Sequence, residues 1–300
     1  MASHESANAP LPSIESAASE ERHVNGVDLH VVSAGDPDDP LVVLLHGFPE
    51  FWYGWREVIE PIVDAGYRVL VPDQRGYNRS EKPDDTRAYR QEALTRDVVE
   101  LVASEGRNAA AIVGHDWGGL VGWDLALREP DVVDALGIVN IGHPTVFKRR
   151  IRTDLTQLRK SWYVFFFQVP WLPEWSARRN DFQLWADALV EGSNPNTFSE
   201  TDLDRYRRAW KEPGAPSAMI DWYRAMIRHS DAPSRNRVDP PTLLLWGEND
   251  QALVPEMAQE SIERCEDGRL ERFDDATHWI VHEYPDRIAA HLIDHLDRSL

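Results

Sequence analysis

The residues best placed to do chemistry lie in Gly114-His115-Asp116-Trp117-Gly118-Gly119. The apolar run Ala109–Val113 before them reads as a strand, and Gly118–Arg128 after them has the spacing of a helix. A strand-to-helix turn this sharp needs small residues on both sides of its centre. It holds the central side chain up above the sheet, as a nucleophile elbow must. Here the centre is Asp, not Ser. A serine alkoxide attacks carbonyls, whereas a carboxylate displaces a leaving group at saturated carbon and becomes an ester. Water must then attack the carboxyl carbon of Asp116, so a general base has to stand close to it. Taken alone, the same hexapeptide also suits an ordinary tight turn with an N-capping Asp. Its partners decide.

Two partners emerge from the strand pattern. Asp250 lies just beyond the strand Thr242–Trp246, and His278 just beyond the strand near Arg269–Phe273. Both therefore leave the sheet at its carboxyl edge, as Asp116 does. The chain order of nucleophile, acid and histidine fits His278 as the base that activates water, with Asp250 fixing its tautomer and stabilising the imidazolium. His115, His143, His229 and His282 read as structural or surface histidines.

The elements that must position these residues alternate. Leu29–Ser33, Leu41–Leu45, Arg68–Val71, Ala109–Val113 and Val133–Ile141 read as strands, Arg90–Ser104 and Gly118–Arg128 as helices. From about Pro144 to Asn236 the strand runs stop and Trp-, Tyr-, Phe- and Arg-rich helical stretches take over. Then Thr242–Trp246, a helix near Pro255–Ile262, a strand near Arg269–Phe273 and a closing helix Pro285–Leu296 restore the rhythm. The expected class is α/β, a mostly parallel sheet with helices on both faces. Residues 22–143 and 237–300 form its core, 144–236 an inserted helical cap, and 1–21 a loose acidic tail with no signal-peptide features.

Composition closes off other functions. A net charge of −19 argues against nucleic acid as a partner, because phosphate contacts need clustered Lys and Arg. No apolar run is long enough to span a bilayer, so no membrane partner and a cytoplasmic location are expected. The lone Cys265 has no partner thiol and reads as incidental. There is no metal-ligand spacing and no Gly-rich phosphate loop, so no metal or cofactor is expected. Only Lys82, Lys148, Lys160 and Lys211 are lysines, so 28 of the 32 basic residues are Arg. Dense carboxylates with few lysines suggest a salt-accumulating halophile as the source. The expected outcome is that stability rises between low and molar salt.

The motifs His46-Gly47-Phe48-Pro49-Glu50, Asp73-Gln74-Arg75-Gly76-Tyr77, the elbow, Trp246-Gly247-Glu248-Asn249-Asp250 and His278-Trp279 together resemble the epoxide hydrolase and dehalogenase branch of the α/β-hydrolase superfamily. The resemblance covers the chain from about Arg22 onward. It implies an α/β-hydrolase fold and a bracing role for His46. The backbone N–H groups of Phe48 and Trp117 would form the oxyanion hole. Some dehalogenase relatives carry the acid after the strand before the cap, where this chain has Asn140 and His143, neither a carboxylate.

The leaving group separates the activities. An epoxide leaves as an alkoxide that needs a proton, and a halide does not. Trp162-Tyr163-Val164-Phe165-Phe166-Phe167-Gln168 and Asp221-Trp222-Tyr223-Arg224 resemble the family's two cap segments, which makes Tyr163 and Tyr223 the proton donors. Haloalkane dehalogenases usually carry Asn where Phe48 stands. Fluoroacetate dehalogenases carry Trp in place of Tyr163 and Arg in place of Trp117. The expected function is conversion of a hydrophobic epoxide to a vicinal diol, in a pocket of Phe48, Trp117, Phe166 and Phe167 with Phe165 beside them. A haloalkane or haloacid dehalogenase and a hydrolase-fold ligand receptor remain the alternatives.

Overall fold

Short runs that are apolar on both sides can be buried only as strands between two helical layers. In the computed structural model, which describes residues 17–229 and 232–300, eight strands lie in the order β1-β2-β4-β3-β5-β6-β7-β8. They are β1 (Ala18–Val24), β2 (Val27–Ala34), β3 (Leu41–Leu45), β4 (Arg68–Pro72), β5 (Ala110–His115), β6 (Val133–Val139), β7 (Thr242–Gly247) and β8 (Gly268–Phe273). β2 runs antiparallel to β1 and β4, and all other pairings are parallel. Every residue of β3, β5 and β7 is buried, as their unbroken apolar runs require.

The direction of travel sorts the helices. From β3 the chain crosses to β4 on one side through α1 (Arg56–Asp64), then back to β5 on the other through α2 (Gln91–Ser104). Right-handed crossovers in opposite directions put α1 and α2 on opposite faces. α3 (Trp117–Arg128) follows β5 and packs beside α2. The carboxyl ends of β3 and β5 are thus the point where strand order reverses, the place where a parallel sheet opens a crevice.

Between β6 and β7 the described residues form α4 (Pro144–Thr153), α5 (Leu155–Lys160), α6 (Trp162–Phe166), α7 (Leu172–Arg178), α8 (Gln183–Glu191), α9 (Glu200–Lys211) and α10 (Ala215–Arg228). After β7 come α11 (Glu256–Ile262), α12 (Ile280–Glu283) and α13 (Pro285–Ser299), the last packed against α1.

The sequence reading placed residues up to 21 in a tail. Residues 1–16 of that stretch lie outside the described residues, but β1 begins at Ala18 and pairs residue by residue with β2. Only Val24 of β1 is buried, so it lacks the apolar alternation that marks a half-buried strand. The available signal was the Asn25-Gly26 pair, which turns with φ of 46° and 73° into a two-residue hairpin.

The elbow depends on glycine for a specific reason. A Cβ on Gly118 would stand 2.2 Å from the carbonyl oxygen of Leu45, and one on Gly114 2.3 Å from the Gly118 carbonyl. At Gly122, one turn further along α3, the nearest atoms are side-chain methyls at 3.3 Å. Gly118→Ala should therefore cost about 1–3 kcal/mol or more of unfolding free energy, and Gly122→Ala markedly less. Urea denaturation giving equal losses for the two would show that the backbone contact is not limiting.

Candidate active site

Asp116 sits at the tip of the elbow with φ 50° and ψ −116°, a conformation that costs a non-glycine residue about 1–3 kcal/mol. It occupies the N-cap position of α3, yet its side chain makes no capping hydrogen bond. The carboxylate turns away from the helix, and Oδ1 accepts the Phe48 N–H at 2.9 Å. The capping explanation of this Asp therefore fails, because the group is held by β3's turn instead. Among the described residues the Trp117 N–H makes no bond to this carboxylate.

The turn after β3 is itself braced. His46 Nδ1 donates to the Gly47 carbonyl at 3.0 Å, and its Nε2 accepts the Gln74 N–H at 3.0 Å. Burial lowers the imidazole's pKa and so favours this neutral form. Gln74 Nε2 closes the loop by donating to the His46 carbonyl at 2.6 Å. A Cβ on Gly47 would lie 2.6 Å from Cβ of Asp116, so this glycine lets the two turns meet.

His278 follows β8, and its Nε2 lies 3.7 Å from Oδ2 of Asp116. On its other side Nδ1 donates to Oδ2 of Asp250 at 2.7 Å. Asp250 also accepts from Asn140 Nδ2 at 2.8 Å and from the N–H groups of Ala252 and Leu253 at 2.6 and 2.9 Å. Burial alone would raise this carboxyl, but the charge and hydrogen bond of His278, with the other donors, hold it below its ordinary range. Burial likewise pulls His278 down, and the Asp250, Asp116 and Glu50 carboxylates outweigh it, so the imidazole is pushed up to about 9.

Asn140 is the piece that sequence alone passed over. It stands directly after β6 with φ 45°, and its Oδ1 accepts the Gly247 N–H at 2.9 Å while its amide nitrogen holds Asp250. Its signal was position, since it leaves the same carboxyl edge as Asp116. Glu50 is the second. Its buried carboxylate lies 2.6 Å from His282 Nε2 and 2.9 Å from His115 Nδ1, and it accepts the Tyr206 hydroxyl at 3.0 Å. Burial alone would raise Glu50, but His282 and His115 hold it well below the usual carboxylate range. His115 Nε2 donates to the His278 carbonyl at 2.9 Å, so this cluster supports the backbone of His278. His143 caps α4, its Nδ1 accepting the Thr145 N–H at 3.2 Å.

Tyr163 on α6 and Tyr223 on α10 face Asp116 from the helical insertion. Their rings lie 5.8 Å apart and nearly perpendicular. Two side chains tie the segments together. Gln168 Nε2 donates to the Tyr223 carbonyl at 3.0 Å, and Arg224 donates to the Phe167 and Val169 carbonyls while pairing with Glu174 at 2.6 Å. Burial and the Asp116 carboxylate raise both phenols, so each keeps its proton at any working pH.

Asp116, Trp117, Tyr163 and Tyr223 share a cavity of about 20 Å³, with Leu120, Ile141, Phe147, Val164, Met226, Ala252 and Leu253 completing the wall. The expected lining by Phe48, Phe166 and Phe167 is not what forms it. Phe48 and Phe167 pack edge-on to the ring of Tyr223 at 5.2 and 4.9 Å, and Phe166 packs on Trp162. Phe165 is exposed, because two residues beyond Tyr163 it points to the other side of α6. A second cavity, of about 390 Å³, shares the wall of Leu120, Phe147, Val164 and Met226.

Comparison with known proteins agrees with this fold. Residues 40–285 match the family described as alpha/beta hydrolase fold. The chain is 43% identical over 274 residues to AB hydrolase superfamily protein YfhM of Bacillus subtilis, spanning 91% of this chain and 96% of that one. It is 36% identical to human epoxide hydrolase 4, over 87% of this chain and 74% of that one. Among solved structures, an epoxide hydrolase from Bacillus megaterium superposes with a TM-score of 0.84 at 28% identity, over 93% of this chain and 100% of that one. Epoxide hydrolase A from Mycobacterium thermoresistibile gives 0.81 at 30% identity, over 94% and 98%. The chain belongs to the α/β-hydrolase fold family, within its epoxide hydrolase branch.

The charges around His278 make a titration test. Removing the Asp116 carboxylate takes away one of the groups that hold the imidazole up, so Asp116→Asn should lower the pKa of His278 below about 9, and Asp250→Asn should lower it further. Because the folded-state pKa is raised, the stability this histidine contributes is fully present below its ordinary value near 6.5 and is lost as pH rises through about 9. Imidazole proton shifts followed by NMR report both; an unmoved pKa in Asp116→Asn would show that the two groups are not coupled.

Proposed function

We propose that the chain opens epoxides to vicinal diols through a covalent ester on Asp116. The observation that carries the reading is one set of distances. Asp116 is anchored through Oδ1 to the Phe48 N–H, while its Oδ2 lies 3.7 Å from a His278 that is itself held by Asp250. Oδ2 is thus the free oxygen, aimed into the cavity that Tyr163 and Tyr223 also line.

The steps follow from these positions. Epoxide oxygen binds between the two tyrosine hydroxyls. Asp116 Oδ2 attacks one ring carbon, the C–O bond breaks, and a tyrosine donates its proton to the leaving alkoxide. Esterification removes the negative charge of Asp116. One of the groups raising the pKa of His278 disappears with it, so the imidazole gives up its proton more readily and is available in the neutral form that can accept one from water. His278 Nε2 then takes a proton from water, and the hydroxide attacks the carboxyl carbon of Asp116. The negative charge that forms on Oδ1 lands on the Phe48 N–H, with the N–H of Trp117 adjacent at the start of α3. Collapse of that intermediate breaks the bond between the carboxyl carbon and Oδ2, the departing diol oxygen takes the proton held on His278, and the proton of the re-formed carboxyl group returns to the tyrosinate. The helical insertion 144–236 acts as the cap that carries the acid. A hydrophobic epoxide suits the apolar wall. The acidic, lysine-poor surface fits a salt-adapted protein, and its stability in salt tests that part.

In a single turnover in heavy-oxygen water, label should enter the carboxyl group of Asp116; label found only in the diol would exclude the ester. His278→Gln should accumulate the alkyl-enzyme, seen as added mass on the peptide carrying Asp116. Tyr163→Phe or Tyr223→Phe should each slow epoxide opening by about a hundredfold or more, while release of halide from a matched haloalkane, needing no proton, should change little if it occurs at all. Faster halide release than diol formation by the unaltered protein would favour a dehalogenase.

A further inference from the structure

Surface charge is not spread evenly over this chain. Between Pro144 and Leu184 there are eight Lys or Arg and only three acids, in a protein of net charge −19. The three acids are already engaged: Asp154 caps α5 and pairs with Arg150, Glu174 pairs with Arg224, and Asp181 pairs with Lys211. Arg152, Arg159 and Arg178 are exposed and meet no carboxylate among the described residues.

An apolar stripe runs through these cations. Leu155, Leu158, Trp162, Phe165 and Val169 follow one another at alternating intervals of three and four residues along α5, α6 and the turn after them, the spacing that places side chains on one face. All five are exposed, Leu155 at 70% and Trp162 at 63%. Trp171, exposed at 71%, and Trp175 follow in the chain at the start of α7, with the Arg179 guanidinium 4.8 Å from the Trp175 ring centre. So many large apolar side chains exposed along one segment are the mark of an interaction site. The 390 Å³ cavity next to the catalytic one is lined by Phe165 of this stripe together with Lys148 and Arg152.

We propose that this face of the insertion docks on an anionic lipid surface, its tryptophans and leucines seated at headgroup level and its arginines on the phosphates, so that an apolar epoxide passes from the lipid into the cavity beside Phe165. Charge complementarity selects this occupant. A second copy in an isologous contact would bring the cationic rim against itself. Interleaved Trp and Arg are the residues that settle at a membrane interface. No helix among the described residues is long and apolar enough to cross a membrane, so the attachment is peripheral. The inference revises the expectation of no membrane partner; its cargo rests on the epoxide hydrolase reading, and its docking does not.

Flotation of the full chain with vesicles tests it. The protein should float with phosphatidylcholine vesicles containing phosphatidylglycerol and less with phosphatidylcholine alone. Molar salt, where the screening length is about 3 Å, should weaken but not abolish the association, because the apolar part is not screened. Arg159→Gln should weaken it about fivefold, and the double variant Leu158→Ser, Trp162→Ser should abolish it with unchanged circular dichroism. Both variants should turn over a water-soluble epoxide normally and a vesicle-dissolved epoxide slowly. Absence of flotation by the unaltered protein, or flotation that the variants leave intact, overturns the proposal. So does a dimer in solution that the double variant splits while neither form binds vesicles. Flotation lost in the variants, from a protein that opens no epoxide, upholds the docking and overturns the epoxide reading instead.

Discussion

At the start of α3 the carbonyl oxygen of Leu45 occupies the space that a Cβ on Gly118 would need, 2.2 Å away, and the Asp116 Cβ stands 2.6 Å from where one on Gly47 would be. Two turns, from β3 and β5, are thus pressed together with no side chain between them. The contact has two consequences. It forces Asp116 into a strained positive-φ conformation, and it brings the N–H of Phe48 within 2.9 Å of the carboxylate. The strain is held by the packing of a parallel sheet on both faces, which no local rearrangement can relieve. What looks like a flaw in the backbone is the means by which one oxygen of Asp116 is fixed and the other left free.

The electrostatics are arranged around a single imidazole. His278 is buried between Asp250, which also accepts from Asn140 and two backbone N–H groups, and Asp116, which has one donor among the described residues. Two chemically identical groups are set apart by the number of donors each receives. Behind them Glu50, His115 and His282 form a buried polar cluster that reaches the His278 carbonyl, so this histidine is held by its backbone as well as by its ring.

The insertion is a different kind of structure. Its short helices are joined by side-chain-to-carbonyl bonds from Gln168 and Arg224 and not by strand pairing, and they carry both tyrosines. Its outer face combines exposed tryptophans with arginines in a protein otherwise dominated by carboxylates. The same segment thus presents two tyrosines to Asp116 on its inner side and exposed tryptophans with arginines on its outer side. The large cavity between them joins the two through the wall of Leu120, Phe147, Val164 and Met226.

Much of this was legible in the residues. The continuous apolar runs that became β3, β4, β5 and β7 declared strands buried on both sides, and the glycines around Asp116 declared a turn too tight for any side chain. Asp250 and His278 could be placed because a residue just beyond a parallel strand must emerge at its carboxyl edge. The resemblance carried Tyr163 and Tyr223. β1 was missed because an edge strand needs no apolar alternation, and its evidence was confined to Asn25-Gly26. Tertiary structure alone decided the pocket wall, since Phe165, Phe166 and Phe167 are equally apolar in sequence and only the packing of α6 against α10 determines which face is inward. It alone revealed Asn140 and Glu50, whose roles depend on donors and acceptors from distant strands. Sequence determined which groups could react; only the fold could count the hydrogen bonds each receives, because those partners are brought together from across the sheet.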